Sequence, residues 1–316
     1  MLTRKGWAYR TREAVFRTAN RVLFPHMSCS IKYEQHDDAF DSDAEAESPE
    51  HVLIVDQGSD TTIVSFSSAA MLHAGQPTRE FEGFFKHYGA GYNLVFFRDV
   101  HRSCYHLTPE GEPGGLAFYE SELAAILDRL GSARHIAIGD SGGAAAAIHF
   151  GTHHRFNKIV AFSPPFPLRY WISPLAQLQA YFDLPLLFRE PSAYWEHVLL
   201  AFTPLFFFYL PLGFRCGFRN IWDPIAAYCA AEARPELTVF FGGGSRPEQK
   251  ILGPLRGLPE VTINPLPTAK HFCLVALART GRLGSTIMGV IDGPAVSTAV
   301  VAQPVDAGVP KSAGEC

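Results

Sequence analysis

Charge is scarce in this chain. Asp, Glu, Lys and Arg make up 18% of its 316 residues and nearly balance, leaving a formal net charge of −4. That excludes the basic footprint of a nucleic-acid binder. The six cysteines, Cys29, Cys104, Cys216, Cys229, Cys273 and Cys316, form no C-x-x-C pair and stand at no spacing from histidine that suggests zinc. They read as free, mostly buried thiols of a reducing compartment. No N-terminal stretch combines a charged start, an apolar run and a small-residue cleavage site, so a cytoplasmic location is expected. A membrane-spanning helix is not expected either. The uncharged run from Val198 to Phe214 is shorter than the roughly 20 residues a span needs, and Pro204 and Pro211 interrupt it.

Against that sparse charge stand 25 phenylalanines, whose apolar surface must be buried or face something greasy. The length suffices for one large core with insertions. Apolar, β-rich runs recur at 51–56, 61–66, 92–97, 135–137, 157–163, 237–241 and 260–264. Between them, Leu116 to Leu130 has helical periodicity through Phe118, Leu123, Ile126, Leu127 and Leu130. Strands alternating with helices point to an α/β fold with a mostly parallel central sheet flanked by helices.

The organising stretch is Ile138-Gly139-Asp140-Ser141-Gly142-Gly143, between an apolar run and the helix-forming Ala144 to Ile148. Its G-x-S-x-G spacing suits a sharp strand-to-helix turn, with a serine at the strained apex and neighbours that lack side chains. Here the chain resembles the α/β-hydrolases. The run Ala161-Phe162-Ser163-Pro164 after such an elbow is also similar to a bacterial hydrolase subgroup associated with surface-glycan loci.

The resemblance implies a Ser, acid, His triad in that chain order. Ser141 is the nucleophile, and His271, just past the last strand, is the general base. The acid normally follows the strand ending at Gly242, but no Asp stands there; Glu248 is the carboxylate in reach, with Asp223 as the alternative. The oxyanion hole maps onto the backbone N–H groups of Gly142 and Ser67, with Phe66 and Ser68 as alternatives, although the usual His-Gly pair is absent. Asp140, Tyr105, Phe206 and Phe207 are expected around the substrate. The implied reaction is hydrolysis of a carboxylic ester with an apolar acyl or aryl group, requiring no metal or organic cofactor. Two alternatives stay open: an O-acyl esterase or acyltransferase acting on an acylated saccharide, and a non-catalytic binding protein on the same fold.

The remaining segments divide the chain. Residues 51–164 and 223–290 are the expected core. Residues 165–222 break the alternation with Pro174, Pro185, Pro191, Pro204 and Pro211 and are rich in Tyr, Trp and Phe, as a cap would be. Residues 1–50 hold a basic amphipathic stretch, Leu2 to Pro25, and an acidic loop. The basic stretch either packs on the domain or contacts an anionic membrane surface, a contact open to the cap as well. Residues 291–316 read as a disordered tail. The sequence leaves the oligomeric state open.

Overall fold

The computed structural model describes residues 51–68, 79–101, 103–164, 184–191, 193–195, 210–217, 223–271 and 273–293. The amphipathic stretch, the acidic loop, the tail beyond Gly293, and Phe206 and Phe207 lie outside the described residues.

Seven strands form one sheet in the order β1-β3-β2-β4-β5-β6-β7. They are β1 (Val52–Val55), β2 (Thr61–Phe66), β3 (Asn93–Phe97), β4 (Arg134–Asp140), β5 (Lys158–Phe162), β6 (Glu236–Gly242) and β7 (Val261–Leu266). Every neighbouring pair is parallel except β1 with β3, which is antiparallel. Strands β1 and β2 are separated by only a short turn in sequence, yet β3 lies between them in the sheet.

The described helices are α1 (Glu82–Tyr88), α2 (Gly115–Leu130), α3 (Gly142–His153), α4 (Leu184–Arg189), α5 (Leu210–Cys216), α6 (Pro224–Ala230), α7 (Arg246–Ile251), α8 (Cys273–Arg279) and α9 (Leu283–Asp292). Alternate strand residues face opposite sides, so two cores form. Val64, Phe66, Val95, Ala137, Ile159 and Val239 meet α2, α3 and α6 on one face. Ile63, Leu94, Ile136, Val160 and Phe240 meet α1, α8 and α9 on the other. Burial on both faces is why the central strands read as unbroken apolar runs. No single helix among the described residues is long and apolar enough to cross a membrane; the pair α8 and α9 passes by length and composition only as a span bent by 110°. Leu274, Leu277, Ile287 and Ile291 of that pair are buried in the second core.

The strand ends lie within two residues of their sequence-based expectations except at β4, which runs three residues past Ala137 to Asp140. Of the four described cysteines all are free, but only Cys273 is fully buried, whereas Cys104, Cys216 and Cys229 are partly exposed. Helix α1 carries no periodic signal long enough to read. It forms because Phe81, Phe84 and Phe85 cover Leu94 and Phe96.

Leu123 is fully buried in the middle of α2. Leu123→Ala is therefore expected to cost about 2–5 kcal/mol, read as a lower urea midpoint at unchanged slope. A loss below about 1 kcal/mol would contradict this packing.

Candidate active site

Strand β4 hands over to α3 at Ser141, whose backbone has φ 48° and ψ −119°. A non-glycine residue held at positive φ carries about 1–3 kcal/mol of strain and persists only where its surroundings fix it. Two backbone hydrogen bonds fix it here. The Ser141 N–H donates to the Phe162 carbonyl at 2.8 Å, and the Ala145 N–H donates to the Ser141 carbonyl at 3.1 Å. A Cβ on Gly139 would collide with the backbone of Gly143, and one on Gly143 would collide with the Phe66 carbonyl. The G-x-S-x-G spacing is therefore a packing requirement of this turn.

The serine side chain points at an imidazole. Ser141 Oγ lies 3.0 Å from His271 Nε2, and His271 Nδ1 lies 2.7 Å from Glu248 Oε1. The second carboxylate oxygen, Glu248 Oε2, accepts the Gly242 N–H at 2.8 Å. Glu248 is held from behind too, because it sits in the first turn of α7, whose N-cap Ser245 accepts its N–H. The loop carrying His271 is tied to the turn after β6, with the Gly244 N–H on the Thr268 carbonyl at 2.9 Å. Glu248 is 4% exposed and His271 8%. Burial keeps water from competing for these bonds, so the pair is short and directional.

Asp223 is elsewhere. It caps α6, its Oδ1 accepting the Ala226 N–H at 2.9 Å. Glu248 is thus the carboxylate behind the ring.

Two other expectations need correction. The Ser67 N–H donates to the Phe97 carbonyl at 3.0 Å, so the sheet has already taken it. Its hydroxyl accepts the Asp99 N–H at 2.9 Å. Phe66 lies inside the ladder, opposite Phe97 and Gly139. Ser68 is the first nominated residue beyond the strand pairing, and Gly142 opens α3, where a helix leaves its N–H groups without intrahelical partners. Tyr105 is fully buried, its hydroxyl donating toward the carbonyls of Ser67 and Phe97 at 3.2 and 3.3 Å. It braces the strand end from behind and is not positioned to meet a ligand. Asp99 holds the same loop, accepting the Tyr105 N–H and the Ser103 hydroxyl, each at 3.1 Å.

A residue that sequence reasoning missed is Glu80. Its carboxylate takes both the hydroxyl and the backbone N–H of Ser68, and its Oε2 is shut away from solvent. Burial, reinforced by the charge of Asp140, holds its pKa well above the usual carboxylate range. Asp140, next to the serine, is 4% exposed. Burial pushes its pKa up to about 7; the His271 ring opposes that rise and the Glu248 carboxylate adds to it. Its Oδ1 has no partner among the described residues. Asp140 and Glu248 thus both act on the His271 ring while Glu80 acts on Asp140, and burial makes Glu80 and Asp140 hold their protons more tightly than exposed carboxyls do.

Parts of the 165–222 insertion touch this end of the sheet. Leu186 of α4, Ala193 and Tyr194 pack against Ala269, two residues before His271. Leu212 of α5 packs on Leu107, and Arg215 donates to the Gly111 carbonyl at 2.5 Å. Phe188, Trp195 and Phe214 are exposed.

Seven strands in this order, antiparallel only at β1, with a strained serine between β4 and α3 and a histidine after β7, decide the architecture. The chain has the α/β-hydrolase fold. No protein-family model and no curated protein matches it. Among solved structures, it is similar to the capsule O-acetyltransferase of Neisseria meningitidis serogroup A, at 17% identity and a TM-score of 0.46 over 75% of this chain and 90% of that one. MenH from S. aureus has 10% identity and a TM-score of 0.49 over 77% and 98%. A thermophilic esterase from Thermogutta terrifontis has 13% identity and a TM-score of 0.44 over 76% and 93%. Identities this low bear on the fold alone.

The raised pKa of Asp140 has a consequence for stability. Its folded state holds the proton more tightly than the unfolded chain, so its cost is absent below about pH 4 and grows until the carboxyl is ionised near pH 7. Asp140→Asn removes that cost. The variant is expected to gain stability over wild type between pH 4 and 8 by on the order of 1 kcal/mol or more, read from urea unfolding at each pH. Parallel pH profiles would contradict the assignment.

Proposed function

We propose that the protein is a serine hydrolase that cleaves a carboxylic ester through an acyl-enzyme. The observation that carries this reading is the unbroken relay from Ser141 Oγ through His271 to Glu248, with separations of 3.0 and 2.7 Å. Glu248 accepts a hydrogen bond from His271 Nδ1–H. That fixes the tautomer and leaves the Nε2 lone pair facing the serine hydroxyl. As Ser141 Oγ attacks the acyl carbonyl, its proton passes to Nε2, and Glu248 stabilises the imidazolium. The proton then goes to the departing alcohol. Water, deprotonated by the same nitrogen, releases the acid.

The negative oxygen of the tetrahedral intermediate is met by the Gly142 N–H at the positive end of α3 and by the Ser68 N–H. Unlike the ladder-bound Ser67 N–H, the Ser68 N–H is held by a side chain that can yield it. Glu80 shares that Ser68 N–H, and its raised pKa matters here. A neutral carboxyl beside the developing oxyanion adds no repulsion; an ionised one would.

Residues 165–222 act as the cap. Its described apolar side chains, with Leu186 and Tyr194 against the His271 loop, suit an apolar acyl or aryl portion. The acyl-enzyme also permits transfer to a saccharide hydroxyl in place of water. A non-catalytic binding protein would have no need for a strained serine within hydrogen-bond distance of a buried imidazole and its carboxylate.

A p-nitrophenyl ester series of graded acyl length, with and without sugar acceptors, tests the reading. Ser141→Ala is expected to fall to background. Glu248→Gln lowers kcat by roughly 10³–10⁴-fold with KM little changed. Asp223→Asn keeps kcat and loses only about 1 kcal/mol of stability from its cap. Full activity in Glu248→Gln, or no turnover of any ester by a folded wild type, would overturn the proposal.

A further inference from the structure

Away from the serine, on the face formed by α2 and α3, three side chains converge. Glu120 Oε1 lies 3.1 Å from His149 Nε2 and 2.7 Å from His153 Nδ1. The three donor atoms all lie within 4.8 Å of one another. The two imidazoles are one helical turn apart on α3, with ring centroids 4.2 Å apart. Such an i, i+4 pair projects both rings to one side of a helix, and the carboxylate arrives from the neighbouring helix α2.

We propose that Glu120, His149 and His153 form a binding site for a borderline transition-metal dication of the Zn²⁺ class, joining α2 to α3. The donor set is two imidazole nitrogens and one carboxylate oxygen, which suits Zn²⁺, Ni²⁺ or Cu²⁺ and not the all-oxygen shells of Mg²⁺ and Ca²⁺. Bonds of roughly 2.0–2.2 Å require the three atoms to open only slightly around a central ion, because each ring already points at the same carboxylate oxygen. Exposure is graded across the site: the side chains of His149, Glu120 and His153 are 8%, 33% and 48% exposed. The inner ligand is thus held by packing while the outer one leaves an entry path and room for a water as fourth ligand. The ion would exchange a hydrogen-bonded contact between α2 and α3 for coordinate bonds, and α3 is the helix that begins behind Ser141. Its role is to stiffen that scaffold; no atom of the site reaches the relay chemistry. The inference stands independently of the proposed ester hydrolysis.

A search of the sequence for Cys-rich and short His-Cys spacings passes over this set. His149-x-x-x-His153 is local, but Glu120 is twenty-nine residues upstream and reaches it only when the two helices pack.

The full-length protein, stripped with a chelator and dialysed, is titrated with Zn²⁺ alone, followed by calorimetry and thermal unfolding, and separately with Co²⁺ followed by visible absorption. Wild type is expected to take up one equivalent of Zn²⁺. At a hundredfold excess over Kd, Tm should rise by roughly 4 °C or more. Co²⁺ should give the d–d bands of a nitrogen-ligated site, and Mg²⁺ should give no shift. His153→Ala and Glu120→Gln, both at partly exposed positions, should each lose the Tm shift and the bands. The chain has thirteen histidines, so uptake that persists unchanged in both variants would place the metal elsewhere and overturn the proposal, as would the absence of uptake by wild type.

Discussion

Everything in the site depends on how closely α3 approaches the strand beside it. At Gly143 the helix backbone lies against the Phe66 carbonyl with no room for a side chain, and Gly139 faces the same turn from the strand. That approach forces Ser141 into its positive-φ conformation and turns its hydroxyl outward. It also brings the start of α3 against the end of β2 at Phe66 and Ser67. The aromatic packing beneath supports it, with Phe66 stacked between Phe97 and Phe150 at centroid distances of 5.6 and 5.2 Å. Strain at the serine is sustained because the core on that face leaves the backbone no other place to go.

The second constraint is charge in a dry place. Asp140 and Glu248 both act on the His271 ring and Glu80 acts on Asp140, and of the three Glu248 has its oxygens taken by the ring and the Gly242 N–H. Burial raises the pKa of the other two, Glu80 well above the usual carboxylate range and Asp140 to about 7. Environment thus separates three chemically similar side chains, so that one carboxylate faces the histidine while the others hold their protons more tightly. The Cys273 thiol, beside Asp140 and Glu248, is likewise held well above its ordinary pKa, first by burial and then by those two charges.

Much of this was legible in the sequence, and where it was not there is a physical reason. Ser141 is visible because its turn is local: the glycines that permit it are two residues away on either side. His271 and Glu248 are readable from their order behind strands whose apolar runs mark them, and the missing Asp after Gly242 left Glu248 and Asp223 in competition. Only packing resolves that competition, since Asp223 spends its carboxylate on the α6 N-terminus. The pairing of the Ser67 N–H is not readable locally, because its acceptor belongs to β3, a strand thirty residues later that inserts between β1 and β2. Tyr105 looked available for the same reason; its burial follows from where β3 ends. Glu80 belongs to a segment with no periodic pattern, and its importance comes from Asp140 across the fold.

The central claim is that the relay makes Ser141 an activated nucleophile, and covalent labelling tests it most directly. The intact full-length protein is treated with a fluorophosphonate, and adduct mass is followed with time in wild type, Ser141→Ala and Glu248→Gln. The account predicts one adduct on wild type, none on Ser141→Ala, and labelling of Glu248→Gln slowed by orders of magnitude. An adduct that survives in Ser141→Ala, or a folded wild type that takes up no label, would contradict it.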